Sequence, residues 1–124
     1  ELKSRTHALV VEDNVINQKL IKILLETYNI KVSMASDGNE AVDASAETKY
    51  DIIFMDIDMP HKNGIIATHE IKESFGQNIK TPIVALTAMA MEGDREMLLG
   101  EGFDDYLSKP LTKEKLESIL SRYL

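Results

Sequence analysis

The chain has 124 residues, with 14 Lys+Arg against 21 Asp+Glu and a net charge of −7, enough for one domain with a single sizeable core. At 44% hydrophobic and 28% charged residues it is too apolar for disorder, and its acidic balance argues against a phosphate-backbone binder, which needs a basic face. No cysteine is present, which excludes disulfides, thiolate metal sites and a Cys nucleophile; the longest uncharged stretch, Thr81 to Met91, falls short of the roughly 18–20 residues of a membrane span.

Apolar runs and helical patterns alternate along the chain. Residues 1–5 read as an N-terminal tail and 6–124 as one domain, without linkers, repeats or low-complexity segments. HALVV (His7–Val11) is a short buried-strand run ending in Glu12, Asp13 and Asn14. From Val15 to Tyr28, Ile16, Leu20, Ile23 and Leu24 recur at helical spacing and predict one apolar face of a first helix. KVSMA (Lys31–Ala35) alternates like an edge or half-buried strand, and SDGN (Ser36–Asn39) turns into a helix carrying Ala41, Val42 and Ala46. DIIFMD (Asp51–Asp56) is a second continuous apolar strand that also ends in a carboxylate. MPHKNG (Met59–Gly64) reads as a loop before a helix through Ile66 and Ile71 to about Phe75. PIVAL (Pro82–Leu86) is a third buried run ending at Thr87, and a helix around Glu92–Leu99 stops at Gly100/Gly102. A brief strand near Asp105–Leu107 leads to Ser108, Lys109 and Pro110. Thr112 then caps a last helix with Leu116, Ile119, Leu120 and Tyr123 on one face.

The order is (βα)5, an α/β pattern that implies a parallel sheet covered on both faces, most commonly a doubly wound open sheet. In such a sheet the C-terminal strand ends share one edge, where ligands bind. Here those ends carry Glu12/Asp13, Asp56, Thr87 and Lys109. Converging carboxylates repel one another unless a cation neutralises them. With no Cys and no ligand spacing among His7, His61 and His69, that cation is a hard one such as Mg2+ (or Mn2+). A metal and a Lys to spread charge, a Thr hydroxyl to donate and an Asp to accept are the equipment of phosphoryl transfer.

The motifs LVVEDN (Leu9–Asn14), IIFMDIDMPHKNG (Ile52–Gly64), IVALTA (Ile83–Ala88) and DYLSKPL (Asp105–Leu111) resemble, in order and interval, those of response-regulator receiver domains of two-component and phosphorelay signalling. The resemblance spans Thr6 to Leu124. It implies a flavodoxin-like five-stranded sheet of order 2-1-3-4-5 and a phosphoacceptor at Asp56, charged from a phosphohistidine. It further implies that Asp13 and Asp56 hold Mg2+ directly, that Glu12 acts through water, and that Asp58 offers its backbone carbonyl. Thr87 and Lys109 would contact phosphoryl oxygens, Tyr106 would be an aromatic switch coupled to Thr87, and Lys109–Pro110 would be the family's cis peptide. Gly64 would close the acceptor loop at positive φ.

The implied partners are a histidine kinase or a histidine phosphotransfer protein, docking on Val15–Leu25 and Lys109–Leu111, with no direct nucleic acid or membrane contact. The implied location is cytoplasmic, or the cytoplasmic side of a membrane-bound hybrid kinase. The signal would leave as a phosphoryl group or a surface change. Alone the domain is not a turnover enzyme beyond its own phosphorylation and dephosphorylation, and both a hybrid-kinase receiver and a stand-alone regulator fit. Two rivals are a haloacid-dehalogenase-like phosphatase, with Asp56-Ile57-Asp58 as a DxD motif, and a pseudo-receiver that keeps the fold without the chemistry. The first is disfavoured because a strand ending in Glu12/Asp13 precedes the DxD strand and no acidic pair follows Lys109. The second is disfavoured because every residue needed for phosphorylation is present.

Overall fold

The computed structural model describes residues 6–57, 59, 63–73, 76–88 and 93–124. The tail (1–5), Asp58, His61, Phe75, Met89, Met91 and Glu92 lie outside the described residues. Five strands alternate with five helices: β1 His7–Val11, α1 Val15–Glu26, β2 Lys31–Ala35, α2 Gly38–Glu47, β3 Ile52–Asp56, α3 Gly64–Glu73, β4 Ile83–Thr87, α4 Asp94–Gly100, β5 Asp105–Ser108 and α5 Lys113–Tyr123. All strand pairs are parallel, in the order β2-β1-β3-β4-β5.

Every residue of β3 and β4 is buried, as expected for central strands covered on both faces. Alternate strand residues feed two cores. Leu9, Val11, Ile53, Met55, Ile83 and Ala85 meet α2, α3 and α4 through Ala41, Ala67, Ile71 and Leu98. Ala8, Val10, Ile52, Phe54, Val84 and Leu86 meet α1 and α5 through Ile21, Leu25, Leu116 and Ile119. At about 25 cal/mol per Å2 of apolar area, each fully buried Leu, Ile or Phe contributes about 1.5–3 kcal/mol. β2 is an edge strand and only half-buried.

Packing divides the apolar residues of the helices between buried and exposed faces. In α1 the buried residues are Ile21 and Leu25, whereas Ile16 and Ile23 are 77% and 62% exposed and Leu20 is exposed too. The helix carries two apolar stripes, and Leu24 of the expected face is partly buried against the core beside Ile21 and Leu25. Its start is fixed by Asn14, whose side chain accepts from the backbone N–H of Asn17. In α2, Ser45 is buried in place of Ala46, its hydroxyl donating to Val42 O. In α3, Ile66 faces outward while Ala67 and Ile71 pack inward. In α5, Thr112 is the cap, and Leu116, Ile119 and Leu120 are buried.

Candidate functional site

The sheet order places the topological switch between β1 and β3. β1 sends its connection to β2 on one side, and the chain then returns to β3 on the other. The strand ends on either side of that switch carry the acidic residues. Asp56 closes β3 and Glu12 follows β1; both carboxylates are 1% exposed, while Asp13 is exposed. One oxygen each from Glu12, Asp13 and Asp56 can lie within 4.8 Å of the others. Lys109, just beyond β5, reaches in and donates to Asp56 Oδ2 at 2.9 Å, with Glu12 Oε1 at 3.3 Å. Thr87 ends β4, is buried, and its carbonyl accepts from Lys109 N at 2.8 Å. The Lys109–Pro110 peptide is cis.

These groups are electrostatically unbalanced. Burial, with the negative charge of Asp56, pushes the Glu12 carboxyl up from 4.5 to about 7, against the N–H of Asn14 and the charge of Lys109. Burial also acts to lower the Lys109 ammonium, but its hydrogen bond to Asp56 and the charges of Asp56 and Glu12 outweigh that, leaving it raised. Glu12 Oε2 accepts from Asn14 N at 3.1 Å, whereas Glu12 Oε1 is sealed from solvent and has the Lys109 ammonium at 3.3 Å as an ion-pair partner, without a hydrogen bond among the described residues. One ammonium shared between two buried carboxylates, with Asp13 beside them, leaves acidic oxygens that a further cation would serve. Three carboxylates, with no softer ligand in the cluster among the described residues, suit a hard divalent ion that keeps several waters. The residues fit Mg2+.

The frame around the cluster is held by groups the sequence did not single out. Gln18 Nε2, from α1, donates to Glu12 O at 2.5 Å and to Ser36 Oγ at 3.5 Å, tying the acidic loop to the end of β2. Glu12 N donates to Ala35 O and Ile57 N to Leu86 O, extending the ladder past the strand ends. Gly64 differs from expectation. Its φ is not positive, positive values being confined to Gly93, Gly102 and Asn29 among the described residues. Glycine is required there by space: a Cβ would sit 2.3 Å from Asp56 O and 2.9 Å from Ile57 Cα. Helix α3 therefore starts directly against the backbone of Asp56.

The structure thus brings Glu12, Asp13, Asp56, Thr87 and Lys109 to one edge. Tyr106 lies on β5, half-buried and packed against the α2–α4 core. Asp58 lies outside the described residues. His7 and His69 stand apart from the site, paired with Ser33 and Glu101.

A cleft of about 260 Å3 opens beside the cluster, between α1 and the loop after β5, lined by Asn17, Leu20, Ile21, Leu86, Pro110 and Leu111, with Glu12 and Lys109 at its polar end. The exposed apolar stripe of α1 borders it. No helix among the described residues is long and apolar enough to cross a membrane.

Comparison with known proteins places this geometry. Residues 8–121 match the family model of the response regulator receiver domain. The signal transduction histidine-protein kinase BarA of Escherichia coli (strain K12) is 42% identical over 123 residues, covering 99% of this chain and 13% of that protein. The chain therefore spans a small part of that relative's length. Among solved structures, the receiver domain of sensor histidine kinase PA1611 from Pseudomonas aeruginosa PAO1, with a magnesium ion in its active site cleft, is 39% identical. It superposes with a TM-score of 0.87 over 97% of this chain and 98% of that one. The receiver domain of the Saccharomyces cerevisiae response regulator Ssk1, solved with the histidine phosphotransfer protein Ypd1, is 32% identical, with a TM-score of 0.85 over 99% and 91%. The fold agrees with these structures, and neither the phosphatase nor the pseudo-receiver reading is favoured. The chain belongs to the response-regulator receiver domains of two-component and phosphorelay signalling.

Proposed function

We propose that this domain accepts a phosphoryl group from a phosphohistidine onto Asp56, with Mg2+ held by Asp13 and Asp56 directly and by Glu12 through water. The observation that carries this reading is the Asp56 carboxylate: buried at the switch point, paired with Lys109 at 2.9 Å and grouped with two further carboxylates. Mg2+, or Mn2+ in its place, supplies a positive charge that offsets the carboxylates and the phosphoryl oxygens when bound. Asp56 Oδ attacks phosphorus as the P–N bond to the donor imidazole breaks; the electron pair leaves with the imidazole nitrogen, which takes up a proton. Lys109 pairs with a phosphoryl oxygen, and the Thr87 hydroxyl donates to another. Fixed charges in a water-poor pocket stabilise the transferring group without reorganising.

Tyr106 is the switch in this reading: as Thr87 is drawn toward the phosphoryl group, the half-buried ring moves further into the α2–α4 core and changes the surface of β5. The partner is a histidine kinase or a histidine phosphotransfer protein. Val15, Ile16, Leu20 and Ile23 give it an apolar docking strip on α1, contiguous with Lys109–Leu111. The place of action is the cytoplasm, or the cytoplasmic side of a membrane-bound kinase.

Beryllofluoride, a phosphoryl mimic, tests the reading. Fluorine NMR is expected to show a bound signal that requires Mg2+ and is lost in Asp56→Asn. A wild-type domain that fails to bind it at millimolar Mg2+ would overturn the assignment.

A further inference from the structure

Helix α5 begins against a local preference. Thr112 caps it, its hydroxyl accepting from Lys115 N at 3.2 Å. In a Thr-x-x-Glu/Gln capping box the fourth residue reaches back to the cap's N–H, and negative charge there suits the helix dipole. This chain has Lys115 at that place, and a cation in a first turn opposes the dipole. Local rules are broken where another requirement wins. The Lys115 ammonium turns back along the preceding loop and donates to Ser108 O at 3.1 Å, Ser108 Oγ at 3.0 Å and Pro110 O at 3.2 Å. An ammonium has three donors, and three acceptors are met. Two of them are the carbonyls on either side of Lys109. From the opposite direction Lys109 N donates to Thr87 O at 2.8 Å, so the backbone at Lys109 is gripped from both sides.

We propose that Lys115 is a positioning residue for Lys109. It fixes the backbone from which the flexible Lys109 side chain reaches Asp56, and it touches neither the carboxylates nor a phosphoryl group. The inference rests on the reading of Asp56 as phosphoacceptor and Lys109 as the cation on its phosphoryl group. Loosening the loop spreads the Lys109 ammonium over positions too far to pair, and misplacement of a catalytic group by about 1 Å can cost up to about a hundredfold in rate.

Three variants separate positioning from mere stability. Lys115→Gln completes the capping box while removing the charge, one of the three donors and the reach of the longer stem, Lys115→Met keeps an apolar stem without donors, and Lys115→Arg keeps charge and donors. The measurement is the rate constant for phosphorylation by acetyl phosphate at saturating Mg2+, followed by intact-protein mass spectrometry, beside a thermal melt. The Gln and Met variants are expected to be slowed about tenfold. Lys115→Gln should melt no earlier than wild type, and Lys115→Arg should recover most of the rate. The slowing should persist at about 0.5 M salt, where the loss of a distant charge is screened. A wild-type rate in Lys115→Gln, a slowing that disappears in salt, or a slowing matched by an earlier melt of Lys115→Gln overturns the inference. Wild-type uptake with an unaffected Lys115→Gln sinks this inference alone; no uptake by the wild type sinks the reading of Asp56 as well.

Discussion

The two edges of the sheet bury polar groups in opposite ways. At the C-terminal edge, Glu12, Asp13 and Asp56 crowd around Lys109, and Glu12 Oε1 has no hydrogen bond. At the N-terminal edge, Asn78 is buried and satisfied: its amide donates to Ser45 O and Thr48 O, and its oxygen accepts from Tyr50 N at 2.8 Å. Thr81 Oγ1 lies 2.9 Å from that same oxygen and accepts from Lys49 Nζ. Lys72 Nζ and the backbone N–H of Ile83 both donate to Asp104 Oδ2. One edge is closed on itself and stabilises the fold. The other crowds three carboxylates around the Lys109 ammonium, an arrangement suited to binding a further cation. Crowded like charges at one edge, and satisfied hydrogen bonds at the other among the described residues, are what distinguish a site from a scaffold in this molecule.

Substitutions can break that contrast. Asp56→Asn is expected to cut phosphoryl or beryllofluoride uptake by at least about a thousandfold. It should leave stability equal or raise it by about 1 kcal/mol, because one of three crowded carboxylates is neutralised; urea unfolding without metal measures this. Asn78→Ala is expected to do the reverse. It strands the Ser45 and Thr48 carbonyls and the Tyr50 N–H, costing about 3 kcal/mol in the same unfolding experiment, while the folded fraction accepts phosphate at the wild-type rate.

Acidity sharpens the contrast, since the two edges titrate with opposite sign. Glu12 is raised from 4.5 to about 7, so between those values the folded chain holds a proton that the unfolded chain has released. Its contribution to stability is complete below pH 4.5 and is lost as pH rises through about 7, on the order of 1–3 kcal/mol. His7, at the start of β1, is lowered from 6.5 by burial and by Lys31, against the pull of Asp51. Its contribution is present above pH 6.5 and is lost as pH falls through its folded value. Melts without metal from pH 5 to 8 should therefore lose their high-pH decline in Glu12→Gln and their low-pH decline in His7→Gln. Added Mg2+ should also remove the high-pH decline in the wild type, because metal binding displaces the proton.

The smallest effect concerns a polar group at neither edge. Thr68 Oγ1, on α3, is buried and has no hydrogen-bond partner among the described residues. Thr68→Val keeps the shape and removes the unmet hydroxyl, and is expected to raise stability by about 0.5–1 kcal/mol in urea unfolding without changing phosphate acceptance.

Much of this could be read from the chain itself. Continuous apolar runs that stop at Glu12, Asp56 and Thr87 mark parallel strands and their functional edge, because the C-terminal ends of parallel strands gather on one side, where ligands bind. Two kinds of feature escaped. The α1 stripe of Ile16, Leu20 and Ile23 satisfies helical periodicity as well as Ile21 and Leu25 do, and the choice between them is set by packing against the sheet, which periodicity does not contain. Gly64 shows the second kind. Its glycine is explained by the approach of a helix start to the Asp56 backbone, a tertiary distance that chain-local reasoning renders as turn geometry. Asn78 and Lys115 are hidden for the same reason: a loop Asn and a helix Lys look solvated until their partners, remote or on the preceding loop, are seen.

The central claim is that Asp56, and no other carboxylate of the crowded edge, takes the phosphoryl group. Borohydride trapping tests it most directly, because it reduces an aspartyl phosphate to homoserine at the modified position. After incubation with acetyl phosphate and Mg2+, tandem mass spectrometry should locate homoserine at position 56, with none in samples lacking Mg2+. Homoserine at position 13 or elsewhere, or none in a wild-type sample that has gained phosphate, would contradict the account.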